Sequence, residues 1–84
     1  MLKVSIELMP TVIFDDGYSM WYANGQMHRN NDLPAITHTN GDRYWCQYGL
    51  KHRDNDLPAV MLANVTYEWY INGVFKRAIY NNFC

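Results

Sequence analysis

The residues of this chain best equipped for chemistry are two histidine-arginine pairs, His28-Arg29 and His52-Arg53. Imidazole titrates near neutrality and serves as metal ligand or acid-base group, and guanidinium grips carboxylates and phosphates at two points. Neither pair has the company such work requires. No second ligand stands near either histidine, and the third equivalent position holds Lys76. The two serines, Ser5 and Ser19, belong to no nucleophile-base motif. His28 and His52 therefore read as structural groups, hydrogen-bonding or packing over a neighbouring segment. The expectation is a protein without catalytic residues, cofactor or metal.

Arg29 and Arg53 each precede an acid by three residues, Asp32 and Asp56, a spacing that permits a charge-assisted pair closing a local loop. The functional alternative is a row of Arg29, Arg53 and Arg77 that holds an anionic partner. Tyr80 stands where a third acid would be, so Lys76 and Arg77 are the better candidates for contact with a partner.

These residues recur because the chain repeats every 24 residues. Residues 17–40 and 41–64 are identical at 11 of 24 positions without a gap. Trp21, Gly25, His28-Arg29 and Asn31-Asp32-Leu33-Pro34-Ala35 return as Trp45, Gly49, His52-Arg53 and Asn55-Asp56-Leu57-Pro58-Ala59. Residues 1–16 form a half-repeat, with Met9-Pro10-Thr11-Val12 in the Leu33-Pro34-Ala35-Ile36 slot. Residues 65–84 open with Trp69-Tyr70-Ile71-Asn72-Gly73 and then lose the pattern, as terminal units of arrays do where they meet water. One domain of stacked units is expected, with caps at both ends.

Each unit carries two turn signals, Asp16-Gly17 or Asn40-Gly41 and then Asn24-Gly25 or Tyr48-Gly49. Such pairs favour the positive φ of type I′ hairpin turns. The segments Thr11–Phe14, Tyr18–Tyr22, Arg43–Gln47 and Tyr67–Ile71 are β-branched and aromatic, as strands are, and no helical period is sustained. Pro34 and Pro58 each stand before a strand segment, where a missing N–H is tolerated, and Asn-Asp-Leu ahead of them suits a turn stabilised by side chains. The predicted fold is all-β, an antiparallel meander of roughly eight to ten short strands by the usual strand length, forming a single twisted sheet or a small open barrel-like array. Gly25, Gly49 and Gly73 serve the turns. Trp21, Trp45 and Trp69 form a row on one face, taken as the core because it recurs in all three units. Met20, Met27, Tyr18, Tyr44 and Tyr48 either fill a thin core or make an adaptable apolar surface.

Seven Lys and Arg against eight Asp and Glu give a net charge of −1, which argues against a nucleic-acid binder built on phosphate neutralisation. The opening residues alternate polar and apolar, unlike a secretory leader, and no apolar run reaches membrane-spanning length. Cys46 and Cys84 occupy unrelated places in the repeat and read as free thiols. A cytoplasmic location is expected.

The tandem form Trp-Tyr-x-Asn-Gly-x-x-His-Arg-x-Asn-Asp-Leu-Pro-Ala resembles the short β-hairpin repeats found in proteins of tailed bacteriophages and large DNA viruses, and it is similar to MORN repeats. The resemblance covers about residues 10–77, with Asn-Asp-Leu-Pro in place of the commoner Asp-Gly-Pro. It implies an elongated antiparallel sheet that binds other proteins. For a small phage protein it further implies an accessory role, binding and inhibiting or modulating a host protein such as a component of a defence system. Self-association through edge strands, as a structural or assembly protein, is the alternative. The residues expected to meet a partner are Lys76, Arg77, Tyr44, Tyr48, Met20, Arg29 and Arg53.

Overall fold

The structure, a computed structural model, describes residues 12–63 and 65–80, and every regular element among them is a β-strand. In chain order these are β1 (Val12–Ile13), β2 (Tyr18–Met20), β3 (Tyr22–Ala23), β4 (Gln26–Met27), β5 (Ile36–His38), β6 (Arg43–Tyr44), β7 (Cys46–Gln47), β8 (Leu50–Lys51), β9 (Val60–Leu62), β10 (Thr66–Ile71) and β11 (Val74–Tyr80). Seven of them form one antiparallel sheet in the order β1-β2-β5-β6-β9-β10-β11. The pairs β3-β4 and β7-β8 are separate hairpins, and the array does not close into a barrel. The expected antiparallel hairpin meander is the observed fold.

The tryptophans mark where each unit leaves the sheet. Trp21 falls between β2 and β3, and Trp45 between β6 and β7. The expected continuous strands Tyr18–Tyr22 and Arg43–Gln47 are therefore each broken at the indole. In the third unit the strand runs on, but its register against β11 shifts between Trp69 and Tyr70, which leaves Lys76 without a cross-strand partner. The outer halves of β10 and β11, Tyr70 to Ile71 and Val74 to Phe75, thus correspond to the branch hairpins β3-β4 and β7-β8.

Those hairpins turn at Asn24-Gly25, Tyr48-Gly49 and Asn72-Gly73, each a two-residue loop with both φ values positive, as type I′ turns require. The other two turn signals behave differently. At Asp15-Asp16-Gly17 the Tyr18 carbonyl accepts the Phe14 N–H and only the glycine has positive φ, +102°. Thr39-Asn40-Gly41 repeats this, with His38 N–H on the Asp42 carbonyl. These are three-residue loops ending in a bulge glycine, not type I′ turns. The extra residue joins strands that lie within the main sheet.

The Asn-Asp-Leu-Pro loops also take one conformation twice. Asn31 and Asp32 have φ of +64° and +55°, and Asn55 and Asp56 have +65° and +55°. The loops close by backbone, Leu33 N–H to the Asn30 carbonyl and Leu57 N–H to the Asp54 carbonyl, rather than by the side chains expected. Asn and Asp are the non-glycine residues that tolerate this left-handed region best.

Directly after each proline, Ala35 and Ala59 are fully buried, and with Trp45, Cys46 and Val60 they form the apolar core among the described residues. Trp45 fits the expected tryptophan core at 6% exposure. Trp21 and Trp69 are only half-buried, and Cys46 and Val60, which lie outside the tryptophan row, join the core. Among the described residues the core is therefore the middle of the array rather than one face, where the central unit packs between the full unit before it and the long strands after it. The molecule is elongated, 53 × 30 × 23 Å.

Candidate interaction surface

Consecutive units are locked by the residues that looked most reactive. Arg29, Arg53 and Arg77 lie over the rings of Trp21, Trp45 and Trp69, with guanidinium carbons 3.7, 3.8 and 4.0 Å from the ring centroids. Arg53 also clasps Asp32 at two points, Nε to Oδ1 at 2.9 Å and Nη2 to Oδ2 at 3.2 Å. Arg77 reaches Asp56 in the same sense, more loosely, at 3.4 Å. The indole N–H groups of Trp45 and Trp69 donate to the carbonyls of Asp32 and Asp56, both at 3.0 Å. The arginine thus pairs with the acid of the preceding unit, not with the acid three residues ahead. Toward its own loop it donates instead to proline, Arg29 to the Pro34 carbonyl and Arg53 to the Pro58 carbonyl.

His28 and His52 act as the expected structural groups and in the same register. Their Nδ1 atoms accept the backbone N–H of Tyr48 and Asn72 from the next hairpin turn, at 3.1 and 3.0 Å. An atom that accepts carries no proton, so the ring proton sits on Nε2, which donates to Asn30 Oδ1 and Asp54 Oδ1 at 2.8 Å each. Nδ1 of each ring joins its unit to the next, and Nε2 braces the ring against its own unit. Among the described residues no group of three His, Cys, Asp or Glu side chains is placed to hold a metal ion.

A polar cleft of about 210 Å³ opens between the two Asn-Asp loops, lined by Asn30, Asn31, Asp32, His52, Arg53 and Asp54 among others. Arg53 is paired with Asp32 and His52 with Asp54, so the cleft's charged groups mostly satisfy one another.

The residues expected to meet a partner separate into two groups. Arg29, Arg53, Met20 and Tyr44 are partly buried. Burial, reinforced by Asp42, pushes the Tyr44 hydroxyl above its ordinary pKa, and burial does the same to the Cys46 thiol. Tyr48 is 70% exposed at a hairpin tip, where its ring packs against His28. Lys76 and Arg77 lie exposed on β11. Around them stand Val74, Phe75, Ile79 and Tyr80, all exposed, an apolar group that the sequence reading assigned only to a cap. Its signal was the unbroken β-branched and aromatic character of Val74-Phe75 and Ile79-Tyr80 past the last turn.

The terminal strand is also, among the described residues, an edge of the sheet. Among the described residues β11 pairs with β10 alone. The Glu68 carbonyl faces β9, where it accepts the Ala59 N–H, so Tyr67 and Trp69 face β11 and pair there with Ile79 and Arg77. By the same alternation the backbone groups of Ala78 and Tyr80 point away from the sheet. Among the described residues no helix is long and apolar enough to cross a membrane. Comparison of the chain with protein-family models, with curated proteins and with solved structures finds no match.

Proposed function

We propose that this chain is a non-enzymatic protein-binding module, a small phage-type accessory protein built from MORN-like hairpin repeats that binds and modulates a host protein. One observation carries the reading. Among the described residues the histidine and arginine groups suited to chemistry are engaged within and between the units, while β11 presents apolar side chains, two cations and a sheet edge to solvent. Exposed apolar patches beside basic residues are what protein interfaces are made of. Tyr48, at the tip of β7-β8, supplies a second exposed aromatic anchor of the kind that dominates binding energy.

A self-associating assembly protein is the second reading, favoured by that same open edge, since unpaired strands template pairing between copies. Affinity capture with the tagged full-length chain from host-cell lysate, beside a Lys76→Ala/Arg77→Ala variant, separates the two. The proposal expects one dominant host protein that the variant loses. Recovery of the chain alone, with a mass that rises with concentration, would replace it with self-assembly.

A further inference from the structure

We infer that β11 binds its partner by strand addition, taking an extended acidic segment as an eighth strand beside Ala78 and Tyr80. This rests on the protein-binding reading and names the chemistry of the partner. The two inner joints show what an added repeat must supply. At each, a turn N–H donates to a histidine Nδ1 (Tyr48 to His28, Asn72 to His52), and the glycine of that turn donates to a backbone carbonyl, Gly49 to Met27 and Gly73 to Lys51.

The third unit changes the polarity of this joint. Lys76 stands at the histidine position. An ammonium offers three donors and no acceptor, so it faces the donor of another repeat's turn with a donor of its own. The same mismatch opposes a second copy stacked through its Asn24-Gly25 turn. What Lys76 does accommodate is a carboxylate.

The edge and the charge agree with that occupant. The outward N–H and C=O groups of Ala78 and Tyr80 offer ladder bonds to any extended segment, and Val74, Phe75, Ile79 and Tyr80 offer apolar contact on either side of the cations. Lys76 has solvent around it, and Arg77 is held to Asp56 only at 3.4 Å with both side chains at least half exposed. β11 holds two cations and no carboxylate. A second β11 laid against it would double the positive charge along the joint, whereas an acidic strand would neutralise it.

The test is selection from a displayed random-peptide library against the full-length chain, its Lys76→Glu/Arg77→Glu variant and its Ala78→Pro variant, each first shown to melt cooperatively. Proline at an edge position whose N–H faces solvent is tolerated by a sheet but removes a donor needed by an incoming strand. The parent chain is expected to enrich peptides that alternate β-branched or aromatic residues with Asp or Glu. The charge-reversed variant should bind those peptides about tenfold or more weakly and select Lys and Arg instead. Ala78→Pro should retain none of them.

Enrichment without preference for acids, retention by Ala78→Pro, or no enrichment at all would overturn the inference. A dimer in sedimentation equilibrium that Ala78→Pro abolishes would also overturn it, with a second copy as the occupant. Strand addition fails while the protein-binding reading survives if a captured host protein binds Ala78→Pro as well as the parent. If no form of the chain captures a protein, the reading itself fails.

Discussion

Three side chains, Trp, Arg and Asp, carry most of the joint between units, and the joint is strongest in the middle. Trp45 is buried, donates its N–H to the Asp32 carbonyl and lies beneath Arg53, which is itself mostly buried and bidentate on Asp32. Replacing Trp45 with alanine removes a large buried ring and should cost about 3–5 kcal/mol. Trp69→Ala, at a half-buried site, should cost about 1–2 kcal/mol. Thermal or urea unfolding of the two variants checks the order, and equal losses would mean that the centre of the array is not the core. The arginine pairs should rank the same way. A double-mutant cycle on Asp32 and Arg53 is expected to return a coupling of about 1 kcal/mol, and a cycle on Asp56 and Arg77 close to zero, because the second pair is longer and exposed to water. A larger coupling for the outer pair would contradict this account of the joint.

At the level of elements, the turns show what the sequence conveys and what it conceals. Asn24-Gly25 and Asn72-Gly73 are legible as type I′ turns because that turn needs positive φ at both residues and Asn and Gly tolerate it, and Tyr48-Gly49 follows from its place in the repeat. Asp16-Gly17 and Asn40-Gly41 carry the same letters but adopt another loop, since the strands they join fix the loop length and one residue more is included. The two kinds of glycine should respond differently to a methyl group. At Gly17 a Cβ would lie 2.7 Å from Thr39 Oγ1 at a φ of +102°, whereas at Gly25 it meets nothing within 4 Å. Gly17→Ala should therefore cost about 2–3 kcal/mol and Gly25→Ala about 1 kcal/mol, read from denaturant midpoints. Equal effects would show that backbone strain alone decides. The arginine partners differ from the expected ones for a related reason. Arg29 and Asp32 are neighbours in sequence, but a 24-residue repeat places Asp32 equally in reach of Arg53, 21 residues on. The clue was present in the third unit, which keeps Arg77 and has no acid after it. The core was half legible, since periodicity marks equivalent residues without saying which of them have a neighbour on both sides.

For the whole molecule, the joints between units engage the histidine and arginine groups, and among the described residues the array ends in β11, which pairs on one side only. In the proposed protein-binding reading, the surfaces among the described residues that neighbouring units leave uncovered for a partner are β11 and the hairpin tip at Tyr48. The most direct test is amide hydrogen exchange measured residue by residue on the free chain. The N–H groups of Arg77 and Ile79, facing β10, should be protected, and that of Ala78, facing outward, should exchange at close to the rate of an unstructured amide. Slow exchange at Ala78 matching that of its two neighbours would mean that the edge is already covered in solution, and β11 would no longer stand as the proposed binding surface.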